Sequence, residues 1–497
     1  MPAALLPGAP AEVVTPWGSE FSLNGRSFRF VGVNIRGLCH YGKGDILPYT
    51  TAAHIDENLD GAAAFGCRVI RVFAPVGTAT KEENTDRLKA VLDKMAARGQ
   101  KAIVVLTDVY NTGFHPQGDD SYYQPQPGGW TLLDDTWFAG GYKINYKPWV
   151  EHAVGQLKDH TAVFCWELGN ELTDIKTPAN IISFTADMAA TIKAIDPWHM
   201  VTTGFIGIDH TQIGEAAGLA LYADPNIDFI TQHSYDGSDQ PQNHAVHSRL
   251  QKPLVLEEFG WNNQNSRAAN TLAEVNRWFD ERAARGFLQW GYQWQNYDIG
   301  DGDLIFGMDR HANGFDYDQL AAIYGARAAA FAANPPLLPA RLEPRGENVA
   351  PRSIAWKADS SFSAAFEGPK AYDGVISAAS KWTSSGGAPP HWLAIDLGRE
   401  HKVDGVTVRM AGAAGEFISY NFTQYELQSG PSLDGPWATE FPVANPAQFS
   451  FLHHVYYDAP RTLRFLRLWI GAPGIDNYAR LPEIEVYAVG DDGWLLR

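Results

Sequence analysis

Two glutamates stand at the ends of apolar runs. One run reads Val163-Phe164-Cys165-Trp166-Glu167-Leu168-Gly169-Asn170-Glu171, and the other reads Pro253-Leu254-Val255-Leu256-Glu257-Glu258-Phe259-Gly260. Each reads as a buried strand that delivers polar side chains at its C-terminal end. Glu171 and Glu258, facing each other across a common mouth, could break a glycosidic bond. One carboxyl would protonate the leaving oxygen, and the other would attack the anomeric carbon or activate a water. Asn170 could donate to a neighbouring sugar hydroxyl. Arg71 and Tyr235 could hydrogen-bond Glu258 and hold it ionised. Glu171, beside that charge, would keep its proton and serve as the acid. Glu167 and Glu257 lie deeper in their strands and read as structural.

Such a pair needs a scaffold, and the surrounding pattern supplies one. Strand-like runs fall at 28–35, 69–74, 102–108, 164–168, 200–205, 227–235, 254–259 and 287–294. Helical periodicity falls between them, at 51–65, 86–98, 147–157, 178–195, 266–285 and 316–333. Eight alternating strands predict a (β/α)8 TIM barrel. The alternative, an open doubly wound sheet, is disfavoured because no glycine-rich phosphate loop follows the first strand. In a barrel the C-terminal strand ends carry the site. Here they carry Arg71, Asp108, Asn170, Glu171, His233, Tyr235, Glu258, Trp290 and Trp294, and Trp294 offers a flat floor for a sugar ring.

The bulk properties agree. A chain of 497 residues calls for two or more domains, and 45% hydrophobic with 19% charged residues is a globular balance. The net charge of −18 argues against nucleic acid or an anionic membrane as partner. The 16 Trp, 20 Tyr and 25 Phe suit the apolar faces of sugar rings. Cys39, Cys67 and Cys165 are too scattered for a disulfide framework or zinc site and read as buried thiols. His115, His210 and His311 lack the paired spacing of a metal site. No stretch is long and apolar enough to span a membrane. Residues 1–10 lack the features of a signal peptide, so either another export route or a trimmed chain is expected. An extracellular or periplasmic monomer is the expectation, with a cytoplasmic one as the alternative.

The combination Arg71, Asn170-Glu171, His233, Tyr235, Glu258 before Phe-Gly, and a strand-eight Trp resembles glycoside hydrolase family 5 over residues 15–335. The resemblance implies retention, with Asn170-Glu171 as the acid/base motif and Glu258 as the nucleophile, and no cofactor for catalysis. Within that family, Trp137-Phe138 through Tyr146, the run from Val163 to Glu171, and Asp108 to Asn111 are similar to endo-β-1,4-mannanases. Two stretches depart: 204–207 lacks an acidic residue expected in many mannanases, and 292–303 is unusual. An endo-β-1,4-mannanase acting on polysaccharide or oligosaccharide is expected. The alternatives are another β-glycanase or exo-glycosidase on glucan, xylan or chitosan, or a non-catalytic carbohydrate-binding protein.

The barrel is expected over 1–333, a proline-rich linker over 334–345, and an all-β sandwich over 346–497, with strands near 392–397, 403–409, 426–429, 465–470 and 484–486. Ala371-Tyr372-Asp373-Gly374, Trp382, His391 through Gly398, and Pro482 through Tyr487 resemble a discoidin-type jelly roll and the family 32 carbohydrate-binding modules. The resemblance implies sugar binding and a structural calcium near Asp373 and Glu483. Tyr420, Phe422 and Tyr478 are candidate stacking aromatics, and Trp382 and Trp392 read as core.

Overall fold

The computed structural model describes residues 10, 12–43, 50–126, 129–174, 176–262, 265–293, 306–309, 314–338, 344–444 and 451–490. The chain divides into two compact units, one of Ala3–Phe279 with Ala284–Leu338 and the other of Pro339–Arg497 with the short stretch Asp280–Ala283.

The first unit is built on eight parallel strands: β1 (Phe30–Asn34), β2 (Val69–Phe73), β3 (Lys101–Val105), β4 (Val163–Glu167), β5 (Met200–Thr202), β6 (Ile230–Tyr235), β7 (Leu254–Gly260) and β8 (Ala284–Gln289). Their ladder runs β5-β4-β3-β2-β1-β8-β7-β6. The amide of Asp228 reaches the Val201 carbonyl at 2.8 Å, and that of His233 reaches Ile206 at 3.0 Å. These bonds bring the two ends of the ladder together and close a TIM barrel. The strands are buried on both faces, as parallel strands covered by helices must be, which is why they read as continuous apolar runs.

Helices α1 (Ala53–Ala64), α2 (Lys81–Ala96), α3 (Tyr146–Leu157), α4 (Pro178–Ile195), α5 (Glu215–Ala223), α6 (Pro241–Leu250), α7 (Arg267–Asn276) and α8 (Gly314–Ala333) run between the strands. On α2, Leu88, Val91, Leu92 and Met95 form the buried stripe, and the Thr80 hydroxyl caps its first turn by accepting the Glu83 amide. Helix α4 begins on Pro178, where the missing amide costs nothing. Among the described residues no helix is long and apolar enough to cross a membrane.

Several expected boundaries change. The helix expected over 266–285 stops at Asn276 and widens into a single π-helical turn, Arg277–Glu281. Strand eight therefore begins earlier, at Ala284, and ends at Gln289 rather than 294. Phe287, Leu288 and Gln289 keep their strand, but Trp290 falls just beyond it. Helices α5 and α6 were not expected; glycine, histidine and glutamine dilute their periodicity. A small antiparallel sheet, Thr15–Trp17, Glu20–Leu23 and Arg26–Ser27, precedes the barrel and was also missed, because two- and four-residue strands carry almost no periodicity. Its Phe21 joins Phe28, Phe30, Phe164 and Phe229 in an aromatic plug.

In the second unit, antiparallel strands β9 (His391–Arg409), β10 (Gln424–Gly430), β11 (Ala438–Ala444), β12 (Leu452–Ala472) and β13 (Glu483–Val489) enclose a core of Leu393, Val406, Phe422, Leu427, Leu468 and Val486. The strands expected at 392–397 and 403–409 are one strand, β9. It pairs with β12 along its length through two register shifts. Its first half also pairs with Ala355–Ala358 and its second half with β13. The expected linker is partly tied down: Pro336 accepts from Ser27, and Leu338 donates to Gly25.

Candidate active site

The tip of β4 is strained and pinned. Glu171 has φ 52°, a left-handed conformation that costs a non-glycine residue free energy and is retained where surrounding bonds impose it. Those bonds are present: the Asn170 amide reaches Thr107 at 2.8 Å, and the Glu171 amide reaches Gly204 at 2.8 Å. Gly204 is itself left-handed, and a Cβ there would lie 2.2 Å from both Glu167 Oε1 and the Gly169 carbonyl. A side chain at 204 would therefore displace the strand end that carries Glu171.

Arg71 organises the centre. It is fully buried, and its guanidinium forks onto Glu167 at 2.6 and 2.8 Å, donates to Glu258 Oε1 at 2.5 Å, and reaches Asn170 Oδ1 at 2.8 Å and Asn34 Oδ1 at 3.1 Å. The bidentate pair with Glu167 explains why that carboxylate is tolerated in the interior. Tyr235 donates to Glu258 Oε2 at 2.6 Å. Burial pushes the Glu258 carboxyl above its ordinary value; His233, Arg71 and Tyr235 pull it back, and Glu171 opposes them. Sequence reasoning supplied the donors but not the burial, which outweighs them.

Glu171 has its own set of partners. Tyr110 donates to its Oε2 at 2.6 Å, and His233 Nδ1 lies 2.7 Å from its Oε1. Burial pushes the Tyr110 hydroxyl up, and the Glu171 charge adds to that effect. Burial takes His233 down to about 4, so its ring is neutral near pH 7. One oxygen of each of Glu171 and Glu258 and one ring nitrogen of His233 lie within 4.8 Å of one another.

Three residues expected to touch substrate lie behind the pair instead. Arg71, Asp108 and His233 are at most 1% exposed and spend their hydrogen bonds on other side chains. Asp108 accepts from Asn170 Nδ2 at 2.9 Å and from the Thr112 hydroxyl at 2.6 Å. With Arg71 on its oxygen and Asp108 on its nitrogen, the Asn170 amide can point only one way. Trp290 is 5% exposed and packs against Phe73, so it forms part of the cleft wall. Trp294, and His311 among the loop histidines, lie outside the described residues.

Asn34 was missed as a site residue, and Tyr110, which follows strand three at the barrel mouth, was missed as a partner of Glu171. Both follow the strand-end rule, since Asn34 closes β1 and Tyr110 follows β3, but nothing local marks them. Trp130 was also missed. It is 64% exposed, and its ring meets Tyr110 edge-on at 5.3 Å between centroids. A large exposed indole beside the partner of Glu171 is what marks it.

In the second unit, Phe422 is fully buried, so it is core and not a stacking surface. Tyr420 and Tyr478 stay partly exposed on either side of Arg480, at 4.4 and 5.5 Å from its guanidinium. Trp382 is buried, and Trp392 is half-buried with the Arg467 guanidinium over its ring.

Comparison with known proteins follows the same division. An F5/8 type C domain model matches residues 356–484. A probable mannan endo-1,4-beta-mannosidase C of Aspergillus terreus is 26% identical over 377 residues, covering 62% of this chain and 91% of the relative. A mannan endo-1,4-beta-mannosidase A of Podospora anserina is 24% identical, covering 60% of this chain and 84% of the relative. The crystal structure of the endo-1,4-beta-mannanase from Rhizomucor miehei superposes with a TM-score of 0.51 at 18% identity, over 64% of this chain and 99% of that one, and so shares the fold. The model for Cellulase (glycosyl hydrolase family 5) matches residues 25–298, more than half of the chain. The protein is therefore a glycoside hydrolase and belongs to glycosyl hydrolase family 5.

Proposed function

We propose that this protein is a retaining endo-β-1,4-mannanase in which Glu171 is the acid/base and Glu258 the nucleophile. The observation that carries this reading is that one oxygen of each carboxyl lies within 4.8 Å of the other, at the ends of β4 and β7. Retaining glycosidases hold their carboxyls about 5–5.5 Å apart, whereas inverting ones leave about 6.5–9.5 Å for a water. Glu258 attacks the anomeric carbon while Glu171 protonates the departing oxygen. Glu171 then deprotonates the water that releases the sugar from Glu258. Asn170 has one amide hydrogen committed to Asp108, and its other is directed to the 2-hydroxyl, where the contact strengthens in the transition state. Mannan as substrate and endo action rest on the names of the relatives and on the mannanase-like stretch 137–171. The test is a panel of β-glycans with product sizing: long and intermediate oligosaccharides released from mannan support the reading. Release of monosaccharide alone, or turnover of glucan, xylan or chitosan instead, contradicts it.

Trp130, on the Glu171 side of the cleft, is proposed as a stacking surface for the leaving portion of the chain. Work on a polymer too large to import supports a location outside the cell. Sugar binding by the second unit is proposed at the Tyr420–Arg480–Tyr478 edge, where Asp476 holds Arg480 at 2.7 and 2.8 Å.

A calcium near Asp373 and Glu483 fits the residues present. Glu483 is 1% exposed; its Oε1 accepts the Gly374 amide at 3.1 Å, while its Oε2 is buried without a hydrogen bond among the described residues. Burial pushes this carboxyl up to about 8. Asp373 ties the same loop together through the Val375 amide and the Ser380 hydroxyl. An orphaned carboxylate oxygen on an oxygen-rich loop suits a hard cation, which would fix the loop without joining the catalysis.

A further inference from the structure

The reaction just described gives Glu257 nothing to do. Its neighbour in sequence is the proposed nucleophile, yet its own carboxyl is fully buried, and neither oxygen has a hydrogen-bond partner among the described residues. Burial and the charges of Glu167 and Glu258 push it well above the ordinary range, against the pull of Arg71. In the same interior, His233 Nε2 is also buried without a hydrogen bond. The two face each other, with Nε2 3.8 Å from Glu257 Oε2.

A neutral imidazole has one N–H and one lone pair, and the surroundings decide which nitrogen carries the proton. His233 Nδ1 lies 2.7 Å from Glu171 Oε1 and 3.4 Å from Glu258 Oε2. If Nδ1 carried the proton, it would donate to Glu171 Oε1 while Tyr110 donates to Oε2, and a donor on each oxygen favours the ionised form of Glu171. The acid would then hold the proton it must deliver less readily. If Nε2 carries the proton, Nδ1 presents a lone pair, and Glu171 donates to it as a carboxylic acid. The choice therefore depends on what Nε2 meets, and it meets Glu257. At 3.8 Å this is an electrostatic contact rather than a formed hydrogen bond, but in a dry interior the attraction is little screened.

We propose that Glu257 is a positioning residue whose carboxyl holds His233 in its Nε2–H tautomer, so that Nδ1 accepts the proton that Glu171 must carry as acid. The proposal rests on the reading of Glu171 as the acid. The titratable and charged groups around His233 are Tyr235 on its own strand, Glu257 and Glu258 on β7, Glu167 and Glu171 at the end of β4, Arg71 on β2, and His210 after β5. Glu258 and Glu167 favour a protonated ring, whereas Arg71 and His210 oppose it, so the net charge alone does not select the tautomer. Glu257 is the group that faces Nε2.

The experiment combines nitrogen-15 NMR of the histidine ring with pH profiles of Glu257→Leu and Glu257→Gln in the full chain. In the unmodified protein, His233 is expected as the Nε2–H tautomer near pH 7; an Nδ1–H signature overturns the proposal and needs no variant to fold. Glu257→Leu, which removes the acceptor, is expected to move the basic limb of kcat/KM on mannan down by about one pH unit and to lower the neutral-pH value about tenfold, a fraction of what general acid catalysis supplies. On an aryl β-mannobioside with a strongly acidic phenol the loss should be smaller, because that leaving group needs little help from an acid. Glu257→Gln, whose amide oxygen can face Nε2, is expected to restore most of the profile. An unmoved basic limb in Glu257→Leu overturns the proposal. The underlying reading fails separately, if Glu171→Ala keeps full activity on mannan.

Discussion

Two of the places where the chain buries carboxylates give them different partners. At the barrel mouth, Glu258 is met by Arg71 and Tyr235 at 2.5 and 2.6 Å, and Glu167 by two nitrogens of Arg71. In the second unit, Glu483 has one backbone amide and an empty-handed second oxygen, and it rises to about 8. Both sites carry a desolvation penalty. The first offsets part of it with fixed donors, which orient the Glu258 carboxyl for attack. The second has a backbone amide on one oxygen and no hydrogen bond on the other among the described residues, which is why a cation from solution is proposed there.

The largest effects should come from the barrel pair. Glu258→Ala and Glu171→Ala are each expected to cost roughly 10³–10⁵ in kcat on mannan. Added azide should rescue Glu258→Ala as a glycosyl azide of inverted configuration. Product stereochemistry reads this directly, and inversion by the unmodified enzyme would refute the retaining assignment. Because Glu258 is crowded against other carboxylates, Glu258→Ala should not lower the melting temperature, which separates a functional carboxylate from a structural one.

Arg71→Met tests the opposite half of the comparison. It leaves Glu167 and Glu258 without their common cation, so about 3–5 kcal/mol of stability should be lost in denaturant titrations, together with activity. A loss below about 1 kcal/mol would mean that the carboxylates are not held as charges.

At Glu483 the sign reverses with pH. Its folded pKa of about 8 lies above its unfolded value near 4.5, so the folded state holds the extra proton. The contribution is therefore fully present below about pH 4.5 and is lost as pH rises towards 8. Without calcium, stability relative to Glu483→Gln should fall over that window. With calcium at a hundredfold excess over its dissociation constant, the unmodified protein should gain about 2.7 kcal/mol, and Glu483→Gln should gain much less. Calorimetry with and without a chelator measures both; equal gains in the two proteins would remove Glu483 from the cation site.

The smallest effect concerns the rim. Trp130→Ala should weaken binding of long mannan chains by about 1 kcal/mol, a KM roughly fivefold higher, and leave kcat nearly unchanged. An unchanged KM on long chains would remove Trp130 from the substrate path.

Much of the fold was legible because it is written locally. Apolar runs of five or six residues separated by amphipathic helices predict a barrel before any contact is known, and strand ends predict where Asn170, Glu171, Tyr235 and Glu258 emerge. The small N-terminal sheet and the shortened α7 were not legible, because two- to four-residue strands and a single π turn leave almost no periodicity. Tyr110 was visible as a residue after β3 but not as a partner of Glu171, since its hydrogen bond spans 61 positions.

The sequence by itself therefore determined the strands, their polar ends and the identity of the two glutamates, since alternation and burial are properties of neighbouring residues. Only the tertiary structure decided what those glutamates experience. Arg71 reaches partners 96, 99 and 187 positions away, and His233 is set between Glu171 and Glu257 by the closure of the ladder. Charge, desolvation and tautomer depend on distances across the barrel, and those distances exist only once its eight strands have closed.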